Sequence, residues 1–144
     1  MHPKHFISKL DEQKIVASIA EVEKKTSGEI RVYISGKKRD DALTAAKNRF
    51  EKLGMTKTRL RNGVLIYIAP VSRKFAIVGD SGIHEKCGDE FWQNISAGMG
   101  NLFKQGLFME AIAKTVHEVG NALARHFPID PDDKNELSNE ILRD

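Results

Sequence analysis

Apolar residues first recur at helical spacing at Ile15, Val16, Ile19, Ala20 and Val22, with charged positions on the other face, which predicts an amphipathic helix. Ser8 supplies an N-cap, and Asp11-Glu12 the acids that a helix start favours. Thr26-Ser27-Gly28 ends the helix. Glu29-Ile-Arg-Val-Tyr-Ile34 then alternates with period two, as a strand exposed on one face does. Asp40 and Asp41 open a second helix whose Leu43, Ala46, Phe50 and Leu53 form a stripe, closed by Gly54. Val64-Leu-Ile-Tyr-Ile-Ala69 is apolar without alternation, so it belongs inside a sheet covered on both faces. Ala69-Pro-Val-Ser72 is short enough for a hairpin turn, and Lys74-Phe-Ala-Ile-Val78 returns to end at Gly79-Asp80. Ser81 to Asp89 is polar and predicts a loop. A third helix carries Phe91, Trp92, Ile95, Met99, Leu102 and Phe103; Gly106 interrupts it before a fourth with Phe108, Ile112, Val116, Val119 and Leu123. The acidic tail from Asp130 predicts one more short helix or a frayed end.

The order α-β-α-β-β-α-α predicts an α/β fold with a small mixed sheet and helices on both faces. The first two strands are expected to run parallel through a βαβ unit, with the third antiparallel across the hairpin. Three strands are evident, and a short fourth edge strand is compatible with the pattern. No repeat or linker divides the chain, so residues 1–144 are expected to form one domain, with its core at about residues 8–128 and an acidic tail over 129–144.

Composition adds exclusions. Hydrophobic residues make up 40% and charged residues 30%, an ordinary globular balance. The single cysteine, Cys87, allows no internal disulfide and no cysteine-based metal cluster. The net charge of +3 is small and the basic residues are scattered without interleaved aromatics, which argues against nucleic acid as a partner. No stretch approaches the apolar run of about 18 residues that a membrane helix requires. With no signal-peptide core at Met1 to Leu10, the cytoplasm is the expected compartment and a membrane is not expected as a partner.

Strand direction places the candidate chemistry. The C-terminal end of the third strand lies beside the N-terminal ends of the first two. That end gathers Ser27, Glu29, Asn62, Asp80 and Ser81, with Glu85 and Asp89 in the adjoining segment. Carboxylates with amide, hydroxyl and carbonyl oxygens suit a hard divalent cation such as Ca²⁺, Mg²⁺ or Mn²⁺, and not a structural zinc site. The expected ligands are Asp80 and Glu29, with Asp89 or Glu85 completing the shell, Asn62 beside them, and His84 as an optional nitrogen. The competing reading is structural: Asp80 capping its turn, Asp89 capping the third helix, and Glu29 pairing with Arg61. The opposite end holds Lys37, Lys38, Arg39, Arg73 and Lys74, but Asp40 and Asp41 occupy the helix start and no glycine-rich loop precedes it, which argues against a phosphate site.

Ser27-Gly-Glu-Ile-Arg-Val32, Arg61-Asn-Gly-Val-Leu-Ile-Tyr-Ile68, Arg73 and Gly79-Asp-Ser-Gly-Ile83 together resemble the TPM domain family. Phe91-Trp92, Phe103-Lys-Gln-Gly106 and Ile112 match its helical half, so the resemblance runs from about Ser8 to Pro128. It implies a three-layer, Rossmann-like α/β/α sandwich. Relatives include a plant thylakoid-lumen protein credited with acid phosphatase activity and a role in photosystem II repair, bacterial proteins, and a divergent animal modulator of an acetylcholine receptor. Divalent-metal binding, calcium especially, is associated with the domain. Many relatives carry a signal peptide and a C-terminal membrane anchor; neither is visible here, so lumenal or membrane roles are not carried over.

Three functional readings follow. The first is a metal-binding interaction module with little or no catalysis, in which the cation ties the Asp80–Asp89 segment onto the sheet and switches a surface for a protein partner. The second is a metal-dependent acid phosphatase of low specificity. Cys87 lacks the arginine spacing of a cysteine phosphatase, and no paired-aspartate or Arg-His-Gly motif appears, so no catalytic residue is assigned. The third is a purely structural interaction module. The sequence leaves the oligomeric state open.

Overall fold

The computed structural model describes residues 7–129 and 139–144. The first helix, α1 (Lys9–Glu23), starts where Ser8 Oγ accepts the Asp11 amide at 3.0 Å. Strand β1 (Glu29–Ile34) follows, then α2 (Ala42–Lys52), capped by Asp41 through the Thr44 amide at 3.1 Å. Gly54, at φ 73°, lets the chain reverse after α2. Strands β2 (Gly63–Ala69) and β3 (Lys74–Gly79) are joined by a tight turn over Pro70–Ser72. Helices α3 (Ser81–Lys104) and α4 (Phe108–His126) complete the helical half, and β4 (Leu142–Arg143) returns to the sheet.

The sheet has four strands in the order β3-β2-β1-β4. As expected, β1 and β2 are parallel and β2 and β3 antiparallel. The added edge strand β4 runs parallel to β1, pairing Leu142 with Tyr33 and Arg143 with Ile34. It arises in the stretch read as an acidic tail; the short helix expected from Asp130 falls on positions outside the described residues.

Two cores flank the sheet. Ile30, Val32, Ile34, Val64, Ile66 and Ile68 meet the apolar stripes of α1, α3 and α4. Tyr33, Leu65, Tyr67 and Ala69 meet Ala42, Ala46 and Phe50 of α2. The three-layer arrangement thus follows from period-two alternation within the strands. Two expectations need correction. Every residue of β1 is buried, including Glu29 at 2% and Arg31 at 8% exposure, and Tyr33, on the face expected to meet solvent, packs in the core beneath α2. The polar stretch from Ser81 to Asp89 is helical: Asp80 caps α3, and only Gly88, at φ 79° and ψ 172°, breaks the helical backbone.

Candidate functional site

The end of the sheet holding the start of β1 is built around two tight backbone approaches. Arg61 adopts φ 52°, and its carbonyl accepts the Gly82 amide at 2.8 Å. A Cβ on Gly82 would lie 2.2 Å from the Leu60 carbonyl oxygen, so only glycine lets α3 begin this close to the turn. The Arg61 guanidinium then reaches Asp80 in a fork, Nε to Oδ2 at 2.7 Å and Nη2 to Oδ1 at 2.8 Å. Asp80 also accepts the Ser81 amide at 2.7 Å. Its carboxylate is therefore held by a charge-assisted pair and a helix cap. Arg61 pairs with Asp80, and not with Glu29 as the structural reading expected.

The five expected ligands do not converge. Glu29 begins β1 and Asp80 follows β3, two strands away; at about 4.8 Å per strand this is a backbone separation of roughly 10 Å. Asn62 is buried, and its Nδ2 donates to Ser27 Oγ at 3.3 Å. Glu85 is exposed on α3, and Asp89 lies beyond the Gly88 break, its side chain 84% exposed, 3.4 Å from His84 Nε2. Among the described residues, no group of three or more His, Cys, Asp or Glu side chains could hold a metal ion.

A carboxyl missing from the sequence-based set stands beside Glu29. Glu23, in the last turn of α1, accepts the Ile30 amide through Oε2 at 2.9 Å. Its Oε1 is buried and meets no donor among the described residues besides the neighbouring Glu29 carboxyl. Burial above all, together with the charge of Glu29 and a hydrogen bond to it, pushes the Glu23 carboxyl up to about 8, against the opposing pull of the Ile30 amide. Arg31 completes the group. Burial lowers its pKa while Glu29, Glu140 and Glu23 oppose that shift by their charge. Three carboxyls thus act on one guanidinium. The signal that would have found Glu23 is its place at a helix end packed against a strand start, and that requires the fold.

Other reactive side chains are less promising. Cys87 is half-buried, and desolvation pushes its thiol up although Arg125 pulls the other way, so thiolate chemistry is disfavoured. Trp92 and Phe91 meet edge to face with centroids 4.9 Å apart and pack on the core, as their helical spacing implied. No helix among the described residues is long and apolar enough to cross a membrane.

Comparison with known proteins agrees with this architecture. No curated protein matches the chain. Among solved structures, the BA42 protein from the psychrophilic bacterium Bizionia argentinensis is 39% identical, covering 96% of each chain with a TM-score of 0.88. The N-terminal domain of the cg2496 protein from Corynebacterium glutamicum shares 19% identity over 81% of this chain and 74% of its own, with a TM-score of 0.63. An N-terminal domain of a protein from P. gingivalis shares 16% identity over 87% of this chain and 83% of its own, with a TM-score of 0.68. These last two show a common fold alone. The TPM domain family model matches residues 1–122, and the chain belongs to the TPM domain family.

Proposed function

We propose that this TPM domain is a divalent-cation-binding interaction module, and that the cation is held at the edge formed by Glu23 and Glu29. The observation that carries this reading is the buried Oε1 of the Glu23 carboxyl beside a second buried carboxyl, Glu29, with no cationic or amide donor on it among the described residues. A proton near neutral pH now does what a hard cation would do there. The carboxyls of Glu23, Glu29 and Glu140 outnumber the one guanidinium of Arg31, so added positive charge is favoured at this edge. Oxygen-only ligation suits Ca²⁺, Mg²⁺ or Mn²⁺, which take further oxygens from water or backbone carbonyls. Relative to the set read from sequence, the reading keeps Glu29, adds Glu23, and leaves Asp80 to Arg61.

The test is an NMR titration of the wild type and Glu23→Gln with Ca²⁺, and with Mn²⁺ as a broadening probe. Expected are shifts and broadening centred on the Glu29, Ile30 and Arg31 amides, with at least ten-fold weaker binding in the variant, or about 1.4 kcal/mol. Affinity should rise with pH up to about 8, because the proton competes for the Glu23 carboxyl. No response at millimolar metal defeats the proposal. Unchanged affinity in Glu23→Gln defeats the placement.

A further inference from the structure

The opposite end of the sheet carries a separate arrangement. Open α/β sheets bind ligands in the crevice past the carboxyl ends of parallel strands. Here that position, beyond Ile34 of β1, is filled by the chain's own Asp144. Ser35 Oγ donates to its Oδ1 at 2.9 Å and lies 3.0 Å from Oδ2, and the Gly36 amide donates to Oδ1 at 2.9 Å. Arg39 Nη2 reaches Oδ2 at 3.5 Å, and Arg49 Nη2 approaches the same oxygen at 3.8 Å. Tyr33 adds a hydrogen bond. Ser35 is wholly buried, and the Asp144 side chain is 9% exposed. Burial works against the charged carboxylate, but the Gly36 amide, Ser35, Tyr33 and Arg39 outweigh it and hold the carboxyl below its usual range.

The cradle is pre-organised and carries more positive charge than its occupant cancels. Tyr33 and Tyr67 stack with centroids 5.3 Å apart, and the Arg49 guanidinium lies over the Tyr33 ring at 4.9 Å. Arg39 Nε donates to the Tyr67 hydroxyl at 3.2 Å, and the Arg39 amide to Ser72 Oγ at 2.7 Å. Both arginines also line a cavity of about 200 Å³ with Lys52, Asn48, Ala45 and Tyr67, and among the described residues no acid lines it. Asp144 arrives on β4, which pairs with β1 through two residues only. So short a strand holds weakly by its ladder. It is further anchored by the surface fork of Arg143 on Glu12, at 2.8 and 2.9 Å, and by Ile141 and Leu142, which pack against the two cores.

We propose that this crevice is an anion-binding site whose resident occupant is Asp144, and that a small phosphate- or carboxylate-bearing ligand exchanges with it, releasing the β4 strap. An intramolecular occupant competes at an effective concentration in the millimolar range, which masks the site from weak external ligands. Removing the Asp144 charge unmasks it.

The test is an NMR titration of the full chain with inorganic phosphate and, separately, succinate, on the wild type, Asp144→Asn, and Asp144→Asn combined with Arg49→Gln. Expected are shifts at the Ser35 and Gly36 amides, with affinity at least about ten-fold higher in Asp144→Asn and lost again in the double variant. The stronger of the two probes identifies the oxyanion class. Hydrogen exchange on the wild type gives a second readout, independent of any substitution: saturating anion should speed exchange of the Leu142 amide. Equal affinity in wild type and Asp144→Asn overturns the proposal, as does binding that leaves the Leu142 amide protected.

Discussion

Glu23 sits where a helix end meets a strand start, and its chemistry follows from that position. The folded protein keeps its carboxyl protonated up to about pH 8, whereas the unfolded chain releases the proton near its ordinary 4.5. Between those values the folded state binds more protons than the unfolded, so stability falls as pH rises and levels off above about 8. With chelator present, Glu23→Gln should flatten this dependence and exceed the wild type above pH 8 by an amount on the order of a few kcal/mol. Urea denaturation at pH 5, 7 and 9 measures it; parallel curves for the two proteins would contradict the assignment. The residue was invisible in the sequence because a glutamate at a helix end normally faces solvent. Asp80 is the converse case. Its acidic character and position were legible, but the structural alternative paired Arg61 with Glu29, whereas the fold sets it against Asp80.

Between elements, the α1–α4 contact is decided by small residues. Ala113, His117, Gly120 and Ala124 recur at helical spacing on α4 and line a groove with Ala17, Ser18 and Val22 of α1. A Cβ on Gly120 would stand 2.3 Å from Val22 Cγ1, below any tolerated approach. Gly120→Ala should therefore destabilise the fold by about 1–3 kcal/mol through overpacking, even though alanine favours helix. Thermal and urea unfolding check this, and Val22→Ala in the same chain should recover part of the loss. What spacing could not show was where α3 begins. A polar run reads as loop, yet Asp80 caps it and Ile83 buries completely, which makes it the first turn of a helix.

The whole molecule was legible in its layers and not in its edge. Long elements with clear periods, such as α4 and the apolar run of β2, fixed the two cores. The two residues of β4 are too few to display a period, and the alternation in β1 suggested a solvent face that the structure buries. That edge strand, allowed by the sequence but not located in it, also has a temporal meaning. The Ser35–Asp144 contact joins positions 109 apart, so in a folding chain it closes a long loop whose entropic cost precedes any gain. The parallel pair of β1 and β2 and its helices can collapse without it. Leu142→Ala should leave the folding rate unchanged and speed unfolding, a φ-value near zero by stopped-flow chevron analysis, whereas a φ-value near one would place β4 in the nucleus. A chain released progressively would then complete its sheet last, with the acidic stretch trailing until Ser35, Gly36 and the two arginines receive it.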